Sequence, residues 1–410
     1  MITSNLFRRI SSLENLRNLR SNVYLCFMKL PQNLAAKLEL RKQNNALRIL
    51  PSTNNLVDFS SNDYIGFSKS NRIFENTHQY LKNNAIVQNG ATGSRLLSGN
   101  HSLYAVAETS IAQFHQAETA LLFNSGYDAN VGFFSSVPQK NDFILYDELC
   151  HASIRDGIQL SYAKAYKFQH NDLEDLERII LNSKANLQDA NTIYIVTESV
   201  FSMDGDTPNL VDLVQLCQKY DCLLVLDEAH ALGVIGEKGQ GLTQELQLQE
   251  LIFARIMTFG KGLGCHGAAV LGAPELKMYL VNFARSFIYT TGLAPHAVAT
   301  IYMAYQELEL QNTAVQKLKD NINHFNQEKN RLGLKALFVR SKSAIQSAII
   351  PGNEMVKNIA QQLQNKGFDV KAILSPTVPE GQERLRFCLH SYNSKEEISE
   401  VLGLLSTFVF

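Results

Sequence analysis

Residues 222–230 read Cys-Leu-Leu-Val-Leu-Asp-Glu-Ala-His, an apolar run that ends in Asp227 and His230. A second strand-like run, Arg255-Ile-Met-Thr258, is followed by Phe-Gly and then Lys261. Short apolar runs bounded by polar residues are typical of buried strands. In a parallel sheet, ligands bind beyond the carboxyl ends of the strands. The two runs therefore predict a parallel sheet that brings Asp227 and Lys261 to one site.

An aspartate and a lysine at one site are the two groups that pyridoxal phosphate (PLP) needs from a protein. The aspartate keeps the pyridine nitrogen protonated, and the lysine forms a Schiff base with the aldehyde. Asp227 and Lys261 are therefore candidate catalytic residues for carbanion chemistry on an amino acid. His230 is a candidate hydrogen-bond donor to the phenolic oxygen of the cofactor.

Two nucleotide-binding motifs match this region only in part. Asp-Glu-Ala-His also occurs in helicases, which need a G-x-x-x-x-G-K-[ST] loop, but Arg255 replaces its first glycine and Gly262 follows the lysine. The stretch Gly262-Leu-Gly-Cys-His-Gly267 matches a dinucleotide fingerprint, which must open a helix. The residues that follow, 268–272, are strand-like, so we exclude both motifs.

Three further segments supply candidate cofactor contacts. Gly126 lies between an apolar run and a helical stretch, where free N–H groups and the helix dipole suit a phosphate. His151 follows a predicted strand end, where an imidazole can stack on a flat ring and also touch the substrate. Ser202 is a candidate second donor to the phenolic oxygen. Taken singly, each residue is also compatible with a structural role.

Composition excludes several classes of protein. The 410 residues are 45% hydrophobic and 19% charged, which is typical of a globular chain with a large core. The formal net charge is -1 without a Lys/Arg run, so no nucleic-acid partner is expected. No apolar stretch predicts a membrane span. The 6 cysteines are scattered without a C-x-x-C pair, so no metal site is expected. Scattered thiols are typical of a reducing compartment, so a cytoplasmic location is expected.

The order of segments predicts an α/β fold with a smaller second domain. Strand candidates alternate with helical patterns such as Leu210–Lys219, which predicts a mostly parallel sheet; the candidates are 143–146, 192–197, 222–226, 255–258 and 268–271. Around and after residue 305 we predict a long helix at 302–331. Short strands are predicted at 345–350 and 384–389, and two more helices at 353–366 and 395–407. The predicted division is an extension (1–27), an N-terminal arm (28–74), a large domain (75–305) and a small C-terminal α+β domain (306–410).

The order of these candidate site residues resembles that of the α-oxoamine synthases, a family of fold-type I PLP enzymes. The resemblance extends from about Leu34 to the C-terminus and implies a fold-type I transferase with a seven-stranded type of sheet. It also implies that Tyr127 and Thr258 contact the cofactor. The segments that carry it are Asn62-Asp-Tyr-Ile-Gly66, Gly90-Ala-Thr-Gly-Ser-Arg95, Ser125-Gly-Tyr127, Phe201-Ser-Met-Asp-Gly-Asp206, Asp227-Glu-Ala-His230 and Thr258-Phe-Gly-Lys261.

The resemblance further implies substrate contacts and a partner. Arg386 would bind the amino-acid carboxylate, and Arg48 and Thr377 would contact the acyl substrate. Asn62 would also be a substrate-binding residue. The segment 287–292 resembles the segment that, in members of this family, reaches the cofactor phosphate of the neighbouring subunit. Its threonines imply a homodimer with a shared active site; they are Thr290 and Thr291.

Segments outside the cofactor set bear on the substrate. Ala46-Leu-Arg48, 264–269 and 375–381 resemble the member of the family that joins L-alanine to a pimeloyl thioester, carried by coenzyme A or acyl-carrier protein, in biotin biosynthesis. Sister members condense glycine or serine with other acyl thioesters, and a non-catalytic subunit on this fold would lack Lys261. The sequence departs from the family pattern at two places, Cys150 and 388–392. Asparagine is usual at the position of Cys150, so the support of His151 could change.

Residues 1–27 differ from the rest of the chain, since they combine serines and asparagines with one acid, Glu14, and the arginines Arg8, Arg9, Arg17 and Arg20. That composition is typical of a mitochondrial targeting segment. The alternative is an upstream start, with Met28 as the functional initiator. We prefer the alternative because the family-like sequence begins just after Met28.

Overall fold

The computed structural model describes residues 30–48, 50, 55–185, 191–310 and 313–410, so the predicted extension 1–27 lies outside the described residues. The strands are β1 (Val57–Asp58), β2 (Thr119–Phe123), β3 (Phe143–Asp147), β4 (Lys164–Phe168), β5 (Ile193–Glu198), β6 (Leu223–Asp227), β7 (Ala254–Thr258), β8 (Ala268–Gly272), β9 (Ile345–Ile349), β10 (Phe368–Asp369), β11 (Lys371–Ile373) and β12 (Arg384–Cys388). The α-helices are α1 (Gln32–Gln43), α2 (Asn71–Asn83), α3 (Leu103–Phe114), α4 (Gly126–Ser136), α5 (Ala152–Gln159), α6 (Leu173–Lys184), α7 (Leu210–Lys219), α8 (Leu242–Glu245), α9 (Pro274–Phe283), α10 (Arg285–Ile288), α11 (Pro295–Leu310), α12 (Thr313–Arg331), α13 (Asn353–Asn365) and α14 (Lys395–Val409).

Seven of these strands form the central sheet in the order β2-β8-β7-β6-β5-β3-β4. All neighbours are parallel except β8, which runs antiparallel to both β2 and β7. The predicted mostly parallel sheet of an α/β fold is confirmed. Because β5, β6 and β7 are parallel neighbours, the residues at their carboxyl ends lie along one edge of the sheet; they are Glu198, Asp227 and Thr258.

The five predicted strands of this sheet are confirmed as β3, β5, β6, β7 and β8, with ends that differ by at most one residue. The strand β8 begins directly after Gly267, which confirms that the glycines before it do not open a helix. The strand β4 is missed by the sequence patterns. Four of its five residues are exposed, so it lacks the apolar run of a buried strand.

The helix α7 shows why the sequence alternates as it does. Leu210, Leu213, Val214 and Cys217 are its buried residues, spaced to form one apolar face. Asn209 caps the helix by accepting the N–H of Asp212. The observed bounds, Leu210–Lys219, are those that the pattern predicts.

The C-terminal part has its own sheet, with β11, β12 and β9 in antiparallel order. The predicted strands near 345–350 and 384–389 are confirmed as β9 and β12, and the last two helices as α13 and α14. The predicted helix 302–331 corresponds to α11 and α12, on either side of residues 311–312, which are not described. The helix α11 packs on α2 and α3, whereas α12 packs on α14. The domain division near residue 305, inside α11, stays a prediction.

The N-terminal arm is tied to the C-terminal part by backbone hydrogen bonds. The strand β1 pairs with β10 in parallel. The N–H of Cys388 donates to the carbonyl of Phe59 at 2.8 Å, and that of Ser391 to the carbonyl of Tyr64 at 2.8 Å. These bonds place residues 59–64 beside β12, so Asn62 and Arg386 come from opposite ends of the chain to one place.

No helix within the described ranges has both the length and the apolar character that a membrane span requires.

Candidate active site

A cavity of about 250 Å³ lies at the carboxyl ends of β5, β6 and β7. It brings together most of the cofactor residues predicted from the sequence. Those in its wall are Gly126, Tyr127, His151, Asp227, His230, Thr258 and Lys261. The predicted substrate residue Asn62 also lines it. We call it the strand-end cavity. Within the described ranges, no group of three or more His, Cys, Asp or Glu side chains could hold a metal ion.

Asp227 is buried at the end of β6 with its carboxylate held by two N–H donors. Oδ1 accepts the backbone N–H of Ala229 at 2.9 Å, and Oδ2 accepts the Nδ2 hydrogen of Asn130 at 2.9 Å. A carboxylate has about four lone-pair positions, so two bonds leave room for a further donor. A protonated pyridine nitrogen is a donor of that kind.

Lys261 reaches the same cavity from the turn after β7, with Nζ 3.4 Å from Oγ1 of Thr258. Burial lowers the pKa of Lys261, while the carboxylates of Asp227 and Glu198 oppose the shift. A lower pKa increases the fraction of neutral amine, which is the form that attacks an aldehyde or removes a proton.

The turn before α4 has the geometry of a phosphate site. Ser125 caps the helix by accepting the N–H of Asp128 at 3.0 Å. A Cβ atom added to Gly126 would lie 2.5 Å from Cγ2 of Thr258, so only glycine fits there. The first N–H groups of a helix have no partner within the helix and attract anions. Tyr127 lies at the rim, where its hydroxyl donates to Oδ2 of Asp156 at 2.7 Å.

His151 caps the N-terminus of α5 and is accessible from the cavity. Nδ1 of its ring accepts the backbone N–H of Ser153 at 3.2 Å, and the backbone N–H of His151 donates to Oε1 of Glu198 at 2.5 Å. Burial lowers the pKa of His151. Cys150 is buried, and its Sγ lies 3.7 Å from the carbonyl oxygen of Val196. The hydrogen bonds to His151 therefore come from Ser153 and Glu198 and not from the Cys150 side chain.

His230 is buried, and its Nδ1 lies 2.6 Å from the hydroxyl of Tyr64. Burial, with the charges of Lys261 and Arg386, lowers its pKa well below the usual value. Since Nδ1 is occupied, Nε2 is the nitrogen left for a cofactor oxygen. Tyr64 has no predicted role although it lies in a segment that resembles the family, 62–66.

Arg386 joins the two ends of the site. Its Nη2 donates to Oδ1 of Asn62 at 3.0 Å, and its Nε donates to the carbonyl of Ser202 at 2.7 Å. Ser202 is not in the wall of the strand-end cavity but in that of a second cavity. Its predicted hydrogen bond to the phenolic oxygen therefore stays a prediction.

The second cavity has a volume of about 560 Å³ and shares His151 with the first. We call it the loop cavity, because loop residues such as Leu149, Met203 and Val378 line it. Thr377 is also in its wall, and Oγ1 of Thr377 lies 3.4 Å from Nη2 of Arg48. The structure therefore places the two predicted acyl-substrate residues in contact.

Two basic side chains of the loop cavity are paired with acids. Arg384 forms a salt bridge with Asp204, and His170 lies between Asp147 and Asp206 at 2.9 and 2.8 Å. Arg155, which also lines the loop cavity, has no salt bridge to a residue of the described ranges.

Thr290 and Thr291 lie outside the wall of the strand-end cavity. Nδ2 of Asn124 donates to Oγ1 of Thr290 at 3.0 Å and to the carbonyl of Thr291 at 2.6 Å. Asn124 directly precedes the Ser125 cap, so the threonines lie next to the turn that begins α4. Their predicted contact with a neighbouring subunit stays a prediction.

Sequence reasoning assigns no role to two buried polar residues of the site. Glu198 is the register partner of Asp227, and burial, together with the charge of Asp227, raises its pKa to about 8. Asn130 is the amide that donates to Asp227. Glu198 directly follows the predicted strand 192–197 and Asn130 lies three residues after Tyr127, but nothing in their spacing indicates which way they point.

Comparison with known proteins places the chain in a family. The model of "Aminotransferase class I and II" matches residues 54–405. An 8-amino-7-oxononanoate synthase from Emericella nidulans is 41% identical over 383 residues, which are 88% of this chain and 91% of that protein. A putative 8-amino-7-oxononanoate synthase from Geobacillus kaustophilus is 36% identical, with 91% of this chain and 94% of that protein covered.

Solved structures give the same result. An 8-amino-7-oxononanoate synthase from Francisella tularensis has a TM-score of 0.73 at 28% identity, with 87% of this chain and 98% of that chain covered. A serine palmitoyltransferase from Sphingomonas wittichii has a TM-score of 0.79 at 26% identity, with 93% and 98% covered. The chain belongs to the class I and II aminotransferase family and, within it, to the α-oxoamine synthases. Its fold is that of a fold-type I transferase.

Proposed function

We propose that the protein is a PLP-dependent acyltransferase of biotin biosynthesis. It joins L-alanine to a pimeloyl thioester, with release of CO2 and the thiol, and the product is 8-amino-7-oxononanoate. The observation that carries the proposal is the convergence of Asp227, Lys261 and the N-terminus of α4 on one cavity that adjoins a larger one at His151. The relatives with this name supply the choice of reaction.

PLP, bound at Lys261, supplies the electron sink that stabilises an amino-acid carbanion. Asp227 would pair with the ring nitrogen through its remaining lone pairs, and the N–H groups at the start of α4 would hold the phosphate. Nε2 of His230 would bind the phenolic oxygen, and the imidazole of His151 would contact the cofactor ring. The donor set that lines the cavity fits each of these groups.

The substrate alanine is held by its carboxylate at Arg386. This guanidinium is oriented by Asn62 and by the carbonyl of Ser202, and its Nη1 hydrogens are the candidates for the carboxylate. Lys261 removes the α-proton, because burial lowers its pKa and leaves a neutral amine able to act as a general base.

The acyl chain occupies the loop cavity. Apolar side chains such as Leu149 and Val378 contact its methylene groups, and the Arg48–Thr377 pair contacts the thioester end. Arg155 binds the distal carboxylate, since no acidic side chain of the described ranges forms a salt bridge with it. A free cation at this position favours a dicarboxylic acyl group over a long hydrocarbon chain.

The active site is shared in a homodimer. The N–H of Gly292 donates to the carbonyl of Gly93 at 3.0 Å, so the segments 90–99 and 287–292 lie side by side. Leu97 and Tyr289 on these segments are 85% and 72% exposed, which suits burial against a second copy. Thr290 and Thr291 would then reach the phosphate of the partner's site. We also propose a cytoplasmic location.

Sister activities are separated by a direct assay. Protein loaded with PLP is incubated with alanine, glycine or serine, each with pimeloyl-CoA, acetyl-CoA, succinyl-CoA or palmitoyl-CoA, and the products are identified by mass spectrometry. We expect the highest kcat/KM for alanine with pimeloyl-CoA. A preference for glycine would instead indicate 2-amino-3-ketobutyrate CoA ligase or 5-aminolevulinate synthase, and one for serine with palmitoyl-CoA a serine palmitoyltransferase. Failure of every pair would favour a non-catalytic subunit.

A further inference from the structure

A chain of three hydrogen bonds connects the aspartate and the histidine of the strand-end cavity. Nδ2 of Asn130 lies 2.9 Å from Oδ2 of Asp227 and 3.0 Å from Oγ of Ser153. Oγ of Ser153 lies 2.7 Å from Nδ1 of His151. Asn130 and Ser153 are 2% and 1% exposed, so the two bonds of the Asn130 amide are shielded from solvent, whereas His151 is exposed.

The direction of each bond follows from the ionised carboxylate that the proposed function assigns to Asp227. A carboxylate only accepts, so Asn130 presents its amide nitrogen to it. An amide nitrogen only donates, so Ser153 accepts the second amide hydrogen at Oγ. The single hydroxyl hydrogen of Ser153 is then donated to Nδ1 of His151. The backbone N–H of Ser153 also points to Nδ1, at 3.2 Å.

The orientation of the Asn130 amide is fixed by the same electrostatics. A rotated amide would place Oδ1 against the carboxylate of Asp227 and against the Ser153 oxygen. The observed orientation leaves Oδ1 buried without a hydrogen-bond partner in the described part of the chain. The donor contacts with Asp227 and Ser153 therefore determine which way the amide faces.

We propose that Asn130 and Ser153 are positioning residues that hold His151 as the neutral tautomer with its proton on Nε2. This proposal rests on the proposed function only in taking Asp227 as ionised. If Nδ1 carried the proton, the hydroxyl hydrogen of Ser153 would have to point away from His151. The Asn130 nitrogen cannot accept that hydrogen, because it only donates. His151 therefore presents an N–H donor, and not a base, through its second nitrogen.

The charged groups around His151 act in both directions. Burial lowers the pKa of His151, and Lys261 and Arg155 lower it further, whereas Asp227 and Asp156 raise it. The net direction is downward, so the ring is neutral at neutral pH. The hydrogen-bond chain then selects between the two neutral tautomers.

The tautomer is measured by NMR on PLP-loaded protein that carries ¹⁵N-labelled histidine. The ring nitrogens of His151 are assigned by their loss in His151→Gln. We expect an unprotonated Nδ1 and a protonated Nε2 in the wild type at pH 7.5. A proton on Nδ1, or a charged ring at this pH, would overturn the proposal whatever product the enzyme makes.

Variants test whether the hydrogen bonds through Asn130 and Ser153 determine the tautomer of His151. Ser153→Ala removes the hydroxyl donor, so we expect a mixture of tautomers, a higher pKa for His151 and a fall in kcat on the order of tenfold. Ser153→Thr keeps the hydroxyl and should restore the wild-type nitrogen shifts. Ser136→Ala is the matched control. The Ser136 hydroxyl donates to the carbonyl of Gly132 within α4 and takes no part in the hydrogen bonds between Asp227 and His151. Unchanged ring shifts in folded Ser153→Ala would contradict the proposal.

Discussion

The strand-end cavity and the loop cavity meet at His151 but are built in different ways. The first is lined by buried residues at the ends of parallel strands, such as Asp227 and Thr258, and the Asp227 carboxylate accepts two hydrogen bonds. The second is lined by loops from both sheets, including Met203 and Val378. Under the proposed function, the strand ends would fix the cofactor chemistry, whereas the loops would determine which acyl group reacts. Substitutions in the two cavities should therefore differ in size and in the kinetic parameter that they change.

The largest effect is expected in the strand-end cavity at Lys261. Lys261→Ala removes both the Schiff-base amine and the proposed base, so turnover should fall by at least about a thousandfold. The visible absorbance of the bound cofactor should change as well. Lys238→Ala, at an exposed position, is the control and should match the wild type. Turnover of Lys261→Ala within tenfold of the wild type would remove this lysine from the mechanism.

Asp227→Asn tests the electronic role of the carboxylate. An ion pair at ~4 Å in an effective dielectric of ~20 contributes roughly 4 kcal/mol before desolvation. That energy corresponds to about a thousandfold in rate. We expect a loss of kcat of that order with PLP still bound, as measured by steady-state kinetics and cofactor stoichiometry. Asp320→Asn on α12 is the control; near-normal turnover in Asp227→Asn would mean that the charge is not needed.

Arg386→Ala tests the proposed carboxylate site, whose guanidinium contacts Asn62 of the strand-end cavity and Ser202 of the loop cavity. An unpaired buried charge costs about 3 kcal/mol or more, so kcat/KM for alanine should fall roughly a hundredfold, mainly through KM. Arg331→Ala, a solvent-exposed arginine paired with Glu328, serves as the control. A fall in kcat with an unchanged KM for alanine would argue against this role.

Arg155→Met moves the test into the loop cavity. A partly exposed ion pair contributes about 1 kcal/mol, so KM for pimeloyl-CoA should rise about fivefold. Heptanoyl-CoA has the same chain length without the distal carboxylate, and its KM should not change. Equal effects on both thioesters would show that Arg155 does not recognise the carboxylate.

The smallest effect is expected far from both cavities. A protein that begins at Met28 lacks the segment 1–27, which precedes the family-like sequence. Its turnover and dimerisation should equal those of the full chain. A clear loss of either, measured by kinetics and analytical ultracentrifugation, would show that the segment contributes to the folded enzyme.

The comparison also shows what the sequence can predict. Asp227, Lys261 and Gly126 are predictable because a strand end or a helix start fixes their position, and the sequence pattern reveals both. Tyr64 and Asn130 are missed because their contacts with His230 and Asp227 depend on tertiary packing between distant segments. Arg155 is missed for the same reason. Its role depends on a wall of loops that no period in the sequence indicates.

The central claim is that the strand-end cavity holds PLP on Lys261. The most direct test is to reduce the PLP-loaded protein with borohydride, digest it and locate the pyridoxyl group by mass spectrometry. We expect one modified peptide, with the label on Lys261. A label on any other lysine, or protein that retains no cofactor, would contradict it.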